Sequence, residues 1–217
     1  SKDGLPAEVV PIFDVKGNLY QEDDGLRRDS SVESLAKLKP FFDRNYGNVT
    51  AGNSSQVTDG AAWFVLATDE AVQRHGLTPI GRIVDSQWAA LDPAQMGLGP
   101  VHVATPILQR HNLGLNDLDA WEINEAFAAQ VLACQAAWAD EAYCREALGL
   151  DRALGALDTN KLNVDGGAIA LGHPVGASGA RIVLHVLHVL ERTGGKRGMA
   201  AICIGGGLGG AMLVETV

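Results

Sequence analysis

Hydrophobic positions along the chain fall into short blocks whose spacing changes between the period of a strand and that of a helix. Apolar or alternating runs predict strands at residues 61–68, 80–86, 120–123, 199–204 and 211–215. Helical spacing predicts helices at residues 31–38, 70–75, 104–111, 126–148 and 180–192. Because helices and strands alternate and the chain closes on a predicted hairpin, we expect a three-layer α/β domain with a mixed sheet.

The predicted helix at 180–192 is apolar on nearly all sides. Its apolar positions are Ile182, Val183, Leu184, Val186, Leu187, Val189 and Leu190. A helix that is apolar around most of its circumference is buried. A single sheet covers only one face of such a helix. We therefore expect a buried helix layer whose other face is covered by further protein, and other helices on the outside of the domain.

The first 43 residues differ in character from the rest. They are rich in charge, carry the turn signal Asp23-Asp24-Gly25 and hold one short helical pattern, which Pro40 ends. We therefore divide the chain into a partial lid or loop segment, 1–43, and a domain, 44–217. The opening Ser1-Lys2-Asp3 lacks an initiator methionine, so we expect a piece of a longer chain.

Charge and cysteine content exclude several classes of protein. The chain has 26 Asp and Glu against 17 Lys and Arg and no long basic run. This composition argues against a nucleic-acid-binding protein. Cys134, Cys144 and Cys203 have no CxxC spacing, which argues against a disulfide framework or a zinc site and favours a reducing compartment. With no signal-peptide pattern and no apolar run of membrane length, we expect a cytoplasmic protein, with an organelle matrix as the alternative.

Two glycine-rich segments could place backbone amides beside a ligand. Gly205 to Gly210 match the pattern GxGxxG, but a strand follows where a dinucleotide site needs a helix. Glycine lets the main chain approach a ligand closely, so the amides after Cys203 could form an oxyanion hole. A tight hairpin behind a buried core cysteine is the alternative.

The second glycine-rich segment, 166–179, contains a single histidine, His173. Its glycines and Pro174 indicate a backbone shaped to direct the imidazole, although an ordinary loop histidine is the alternative. Asn124 lies at a predicted strand-to-helix junction, where it could cap the helix or hold a catalytic water. His185 and His188 are three residues apart without an HExxH motif, so we interpret them as helix packing and expect no metal.

Taken together, three motifs resemble the carboxy-terminal active-site motifs of the thiolase family, in that family's order. They are Asn124-Glu125-Ala126-Phe127, Gly172-His173-Pro174 with Gly176-Ala177-Ser178-Gly179, and Cys203-Ile204-Gly205-Gly206-Gly207. The stretches 49–55, 59–62 and 96–100 resemble the family too, and the likeness is weakest at 138–161. The resemblance implies the carboxy-terminal half of a thiolase fold and an acyltransferase that runs a reversible Claisen condensation between coenzyme A thioesters.

The resemblance also implies a role for each motif residue. His173 would activate an acyl-accepting cysteine, which lies in the family's amino-terminal half and is absent from this sequence. Cys203 would move the proton beside the carbonyl, Asn124 would hold a water for the enolate, and the Gly205 amide would bind the tetrahedral intermediate.

Substrate and partner expectations rest on the same resemblance. Coenzyme A would lie across residues 1–43 and the 51–55 loop, and Ala51, Gly52 and Phe127 would help to bind it. Ser55 would contact its pantetheine arm and Arg27 its nucleotide end, although an ordinary solvated charge is the alternative for Arg27. Coenzyme A thioesters would be substrates, and we expect no prosthetic group. The partners would be the missing amino-terminal half and further copies of the protein in a dimer or tetramer.

Two other functions remain open at this point. The chain could be a non-catalytic fragment that binds coenzyme A or a partner. It could also belong to the ketoacyl-synthase type of condensing enzyme, although the Cys203 motif favours a thiolase.

Overall fold

The computed structural model describes residues 8–217. The strands are β1 (Ile12–Phe13), β2 (Leu19–Tyr20), β3 (Arg82–Ala90), β4 (Ala120–Ile123), β5 (Arg197–Ile204) and β6 (Leu208–Glu215). The α-helices are α1 (Val32–Leu35), α2 (Asp69–His75), α3 (Gly99–Arg110), α4 (Ala128–Ala139), α5 (Glu141–Leu148), α6 (Ala168–Leu171) and α7 (Ser178–Thr193). No helix within this part of the chain has the length and apolar character needed to cross a membrane.

A four-stranded mixed sheet forms the centre of the fold, in the order β3-β6-β5-β4. Strand β4 runs parallel to β5, whereas β6 is antiparallel to both β5 and β3. Strands β5 and β6 form the predicted hairpin, and its turn needs glycine because Gly206 and Gly207 have φ of 88° and 85°. The expected mixed sheet is therefore confirmed.

Successive side chains of the central strands enter two separate cores. Met199 and Ala201 face a core that contains Trp121 and Trp138 and is closed by α3 and α4. The alternate positions of β5 and β6 face the second core, against α7. This alternation of period two produces the three layers expected from the sequence.

Helix α7 is largely buried, as predicted, and Leu184 is the one of its seven named apolar positions that is only half-buried. Ile182 and Leu190 are at most 1% exposed and pack on the sheet. Phe64 packs against the same cluster from outside the sheet, and so covers part of the helix.

The predicted strand at 61–68 is wrong. This segment is not part of any strand, and Trp63, Val65 and Leu66 are 79%, 76% and 70% exposed. A strand needs a neighbour to satisfy its backbone groups, and none of the strands described pairs with this segment. Within this segment, Phe64 packs against the core formed by α7 and the sheet.

The single helix predicted at 126–148 is also wrong, because two helices occupy this range. Helix α4 ends at Ala139, and α5 begins at Glu141. Asp140 lies between them with φ −87° and ψ 115°, and its side chain accepts a hydrogen bond from the amide of Tyr143. Aspartate is a favoured N-cap, so it starts the second helix where the apolar pattern alone runs on.

Within the predicted lid segment, residues 8–43 hold the β1–β2 hairpin and α1, and residues 1–7 lie outside the described part of the chain. Helix α1 is shorter than the predicted 31–38 and begins with a capping box, in which Ser31 and Ser34 bond each other's backbone amides.

Candidate active site

The site lies at the carboxyl ends of the parallel strands β4 and β5. Asn124 follows β4 directly, and its backbone N–H donates to the carbonyl of Ala201 at 3.0 Å. Cys203 is two residues further along β5, pairs with Gly209 and is 5% exposed. The two sequence-predicted residues therefore share one edge of the sheet.

Burial controls the chemistry of the Cys203 side chain. It raises the pKa of the thiol, because an apolar environment disfavours the thiolate. Once formed, such a thiolate is a strong base.

The loop that carries His173 is held by its backbone. Gly172 has φ +89°, and a Cβ there would lie 2.5 Å from the side chain of Thr58, so only glycine fits. The N–H of His173 donates to the carbonyl of Gln56 at 3.1 Å. The loop shape inferred from its glycines is therefore fixed by contacts with the 53–58 segment.

Hydrogen bonds select one tautomer of His173. The hydroxyl of Ser178 donates to the carbonyl of Pro174 at 3.1 Å and lies 2.6 Å from Nδ1 of His173. Because the hydroxyl proton is already used, Ser178 accepts from Nδ1–H, which leaves Nε2 as the acceptor nitrogen of the ring, to which the Nδ2 amide of Asn124 donates. Nε2 lies 3.3 Å from Nδ2 of Asn124.

The environment of His173 favours the neutral ring. Burial lowers the pKa of the imidazole, and the positive charge of Arg181 lowers it further. His173 is therefore prepared to accept a proton at Nε2.

Asn124 does not cap a helix, so the capping alternative is wrong. Helix α4 begins at Ala128, and Phe127 is its N-cap residue, without a side-chain cap bond. Asn124 is 1% exposed, and its Oδ1 has no hydrogen-bond partner among the described residues. A buried acceptor of this kind costs free energy unless it is hydrogen-bonded, and a water can satisfy it.

The loop expected to contact coenzyme A lies against the Asn124 motif. The N–H of Ser55 donates to the carbonyl of Ala126 at 3.0 Å, and that of Ala128 donates to Asn53 at 2.9 Å. Ser54 forms a β-bridge with Phe127, whose ring lies 6.5 Å from that of Phe42.

The remaining predicted site residues are further from this junction. Ala51 is exposed, whereas Gly52 packs against α1, where a Cβ would lie 2.6 Å from Leu35. Gly205 is exposed in the β5–β6 turn, and Arg27 is exposed in the lid segment. No hydrogen bond joins Cys203 to His173 within residues 8–217.

Sequence reasoning missed a buried polar cluster around His185. His185 is fully buried, and its Nδ1 lies 2.7 Å from Glu8, with Asp165 at 3.3 Å from Nε2. Burial raises the pKa of Glu122 to about 8. For His185, burial opposes protonation, but the bond to Glu8 and the Glu122 carboxyl raise the pKa above its ordinary value. The sequence signal that could have revealed this cluster is Glu122, a charged residue inside the otherwise apolar run 120–123.

The three cysteines are free and buried. Burial raises the pKa of Cys134 to about 12, so its thiolate is scarce. Among the residues from 8 onward, no group of three His, Cys, Asp or Glu side chains could hold a metal ion.

Comparisons with known proteins agree with the geometry. The sequence model described as the thiolase C-terminal domain matches residues 77–216, and that of the thiolase N-terminal domain matches residues 1–70. The two matches leave residues 71–76 between them. The division at 43/44 stays a prediction, and 1–70 need not correspond to a lid alone.

Similar proteins are thiolases of known sequence or structure. The beta-ketoadipyl-CoA thiolase of Pseudomonas aeruginosa is 46% identical over 214 residues, which are 97% of this chain and 49% of that protein. The structure of human mitochondrial 3-ketoacyl-CoA thiolase in complex with CoA aligns with TM-score 0.78 and 39% identity, over 95% of this chain and 48% of that one. The acetyl-CoA acetyltransferase of Bacillus anthracis aligns with TM-score 0.85 and 38% identity, over 100% and 51%.

The chain thus spans about half the length of the proteins it matches. Its α/β fold, with a mixed sheet and flanking helices, is that of the aligned thiolase structures. Because one family model covers most of the chain and the three motifs meet at one edge of the sheet, this chain belongs to the thiolase family.

Proposed function

We propose that this chain supplies the carboxy-terminal catalytic residues of an acyltransferase, which transfers an acyl group between coenzyme A thioesters by reversible Claisen condensation. Acetyl-CoA and an acyl-CoA would give 3-oxoacyl-CoA and free CoA. One observation carries the proposal: Nε2 of His173, the acceptor nitrogen of the ring, lies 3.3 Å from Nδ2 of Asn124, whose Oδ1 is buried and unpaired among the described residues.

His173 is the base for the first half-reaction. Its Nε2 takes the proton of an acyl-accepting cysteine, and the resulting thiolate attacks the thioester of the first acyl-CoA. The C–S bond to coenzyme A breaks and CoA leaves as thiolate, while the proton of the cysteine stays on Nε2 of His173 until that cysteine is released again. The acyl-accepting cysteine belongs to an amino-terminal half that this chain pairs with.

Cys203 moves the proton in the second half-reaction. As a thiolate it removes a proton from the methyl carbon of acetyl-CoA, and the enolate attacks the acyl thioester on the enzyme. The new C–C bond forms as the C–S bond to the acyl-accepting cysteine breaks. In thiolysis the same steps run backwards, and the Cys203 thiol returns the proton to the enolate.

Two groups of donors stabilise the negative oxygens. Asn124 holds a water through its free Oδ1, and this water and the Nε2–H of the protonated His173 donate to the enolate oxygen of acetyl-CoA. The backbone N–H of Gly205 bonds the tetrahedral intermediate. Because these donors are in place before the enolate forms, little reorganisation is needed.

Coenzyme A lies along the 51–55 loop. Ser55, Ala51, Gly52 and Phe127 contact its pantetheine arm, and Arg27 reaches its nucleotide end. The human relative was solved with CoA, which supports the substrate class. No prosthetic group takes part.

Three inferences concern the surroundings of the protein. The partners are the amino-terminal half and further copies of the protein, as a dimer or tetramer. The three free cysteines support a reducing compartment, and we favour the cytoplasm.

The test uses the full-length polypeptide that contains this chain. His173→Ala should lower the rate of acetoacetyl-CoA thiolysis by about 10²–10⁴-fold. Cys203→Ala should block condensation but still allow the acyl-accepting cysteine to be acylated, which mass spectrometry of the trapped acyl-enzyme detects. His188→Ala, on the same helix as Ser178 but away from the site, is the matched control and should retain the wild-type rate. Wild-type condensation by Cys203→Ala would exclude its role as the base.

A further inference from the structure

Glu125 lies next to Asn124, and the proposed chemistry does not use it. Its carboxylate joins two segments that are more than thirty residues away along the chain. Oε1 accepts a hydrogen bond from Nδ2 of Asn163 at 3.0 Å, and Oε2 accepts one from the N–H of Ile169 at 3.3 Å. Both partners are donors, so a carboxylate is the group that satisfies both.

The first partner, Asn163, fixes the end of strand β4. Its Oδ1 accepts from the N–H of Ile123, and its Nδ2 donates to the carbonyl of Ile123, each at 2.9 Å. Asn163 has φ 47°, a left-handed conformation that asparagine tolerates better than most residues. The Glu125 carboxylate is therefore bonded to the group that ends the strand before Asn124.

The second partner, Ile169, lies in the helix that leads to His173. Helix α6 has four residues, too few to be stable alone, and its first amides have no partner within the helix. Glu125 satisfies one of these amides. Gly172 and His173 follow α6 directly, so the position of the helix determines where the imidazole lies.

Gly167 shows how closely the carboxylate packs on this loop. A Cβ at Gly167 would lie 2.3 Å from the carboxyl carbon of Glu125. The backbone there has φ −136° and ψ −164°, extended values that any residue adopts. A side chain at this position would therefore displace the Glu125 carboxylate from its present place, whereas the backbone conformation would accept it.

We propose that Glu125 is a positioning residue, which sets the distance between Asn124 and Nε2 of His173 by linking the end of β4 to α6. The inference rests on the proposed function for its kinetic consequences. Glu125 itself contacts neither substrate nor the reacting atoms.

The kinetic test compares Glu125→Gln and Glu125→Ala with wild type in the full-length polypeptide. In Glu125→Gln the side-chain amide places an N–H against one of the two donors, so kcat for thiolysis should fall by about tenfold. Glu125→Ala loses both hydrogen bonds, so its kcat should fall by about 10²-fold. KM for the thioester should change by less than threefold, because the 51–55 loop is bonded to backbone atoms of the Asn124 motif. Glu146→Ala, an exposed carboxylate on α5, is the control.

A double-mutant cycle with Gly167 separates positioning from general destabilisation. Gly167→Ala should strongly lower kcat in the wild-type background, because the new methyl group overlaps Glu125. In the Glu125→Ala background the same methyl has room, so the further loss should be small. If the two losses multiply as independent effects, or if Glu125→Gln keeps wild-type kcat, the proposal is wrong.

A readout without turnover distinguishes this proposal from the proposed function. NMR titration of labelled histidine follows the His173 imidazole in each folded variant. A shift of its titration midpoint or chemical shift in Glu125→Gln but not in Glu146→Ala supports positioning even if the protein has no thiolase activity. An unchanged His173 signal in Glu125→Gln overturns the positioning role whatever the activity.

Discussion

The side chain of Ser178 determines which nitrogen of His173 is available. A hydroxyl that already donates to a backbone carbonyl can only accept from Nδ1–H, and the basic lone pair is then on Nε2. The Arg181 charge adds a second effect by disfavouring the imidazolium. Together, Ser178 and Arg181 favour a neutral His173 ring whose basic nitrogen is Nε2.

The acid limb of the pH profile should report this arrangement. Catalysis needs neutral His173, and its pKa lies below the ordinary value of 6.5, first through burial and then through Arg181. Activity should therefore persist to lower pH and fall only as the pH drops through a midpoint below 6.5. Arg181→Gln removes the opposing charge, so its midpoint should move up towards 6.5, as measured by kcat/KM for thiolysis.

The matched control is Arg145→Gln, an exposed cation on α5 that pairs with Glu141. Its acid limb should coincide with that of the wild type. A downward movement of the midpoint in Arg181→Gln would contradict the electrostatic explanation.

At this scale, unusual residue types were predictable and their connections were not. His173 between glycines and Cys203 before glycines could be found from the sequence. Ser178 and Glu125 lie in the motifs found from the sequence, but their roles could not be predicted, because each acts through a distance set by the folded loop. The bond between His185 and Glu8 joins residues 177 positions apart, which no local pattern encodes.

Among the elements, the boundary between α4 and α5 depends on a single side chain. Asp140→Ala removes the acceptor for the amide of Tyr143, so the free energy of unfolding should fall by about 1 kcal/mol. Urea denaturation of the full-length polypeptide measures it. Asp151→Ala, an exposed aspartate in the following loop, should change stability by less than about 0.5 kcal/mol. Equal stability in both variants would contradict the capping role.

Most helices and strands that bury one face were predictable, but α3 begins five residues before the predicted 104–111 and β3 ends four residues after the predicted 80–86. The strand at 120–123 has the predicted bounds, and α7 extends the predicted helix by two residues at its start and one at its end. The errors arose where periodicity was not decisive. At Asp140 a cap overrode an apolar run, and at 61–68 a strand-like run found no neighbouring strand among the described residues.

For the whole molecule, the main expectation concerns the residues that this chain does not contain. The chain purified alone should show no thiolysis of acetoacetyl-CoA above background, because no cysteine here lies in the motif of the acyl-accepting cysteine. Adding the amino-terminal half should restore turnover. The measurement is consumption of acetoacetyl-CoA, with the full-length polypeptide as the positive control. Turnover by the chain alone would contradict the proposed division of roles.

The order of the strands has a consequence for how the protein is made. Strand β6 follows all other strands in sequence, yet it lies between β3 and β5 and joins them. On the ribosome, β3 would therefore emerge well before the strand it pairs with, and its edge would stay open during translation. Chaperones that shield exposed strand edges should bind the nascent chain throughout this interval and leave only after Glu215 has cleared the exit tunnel.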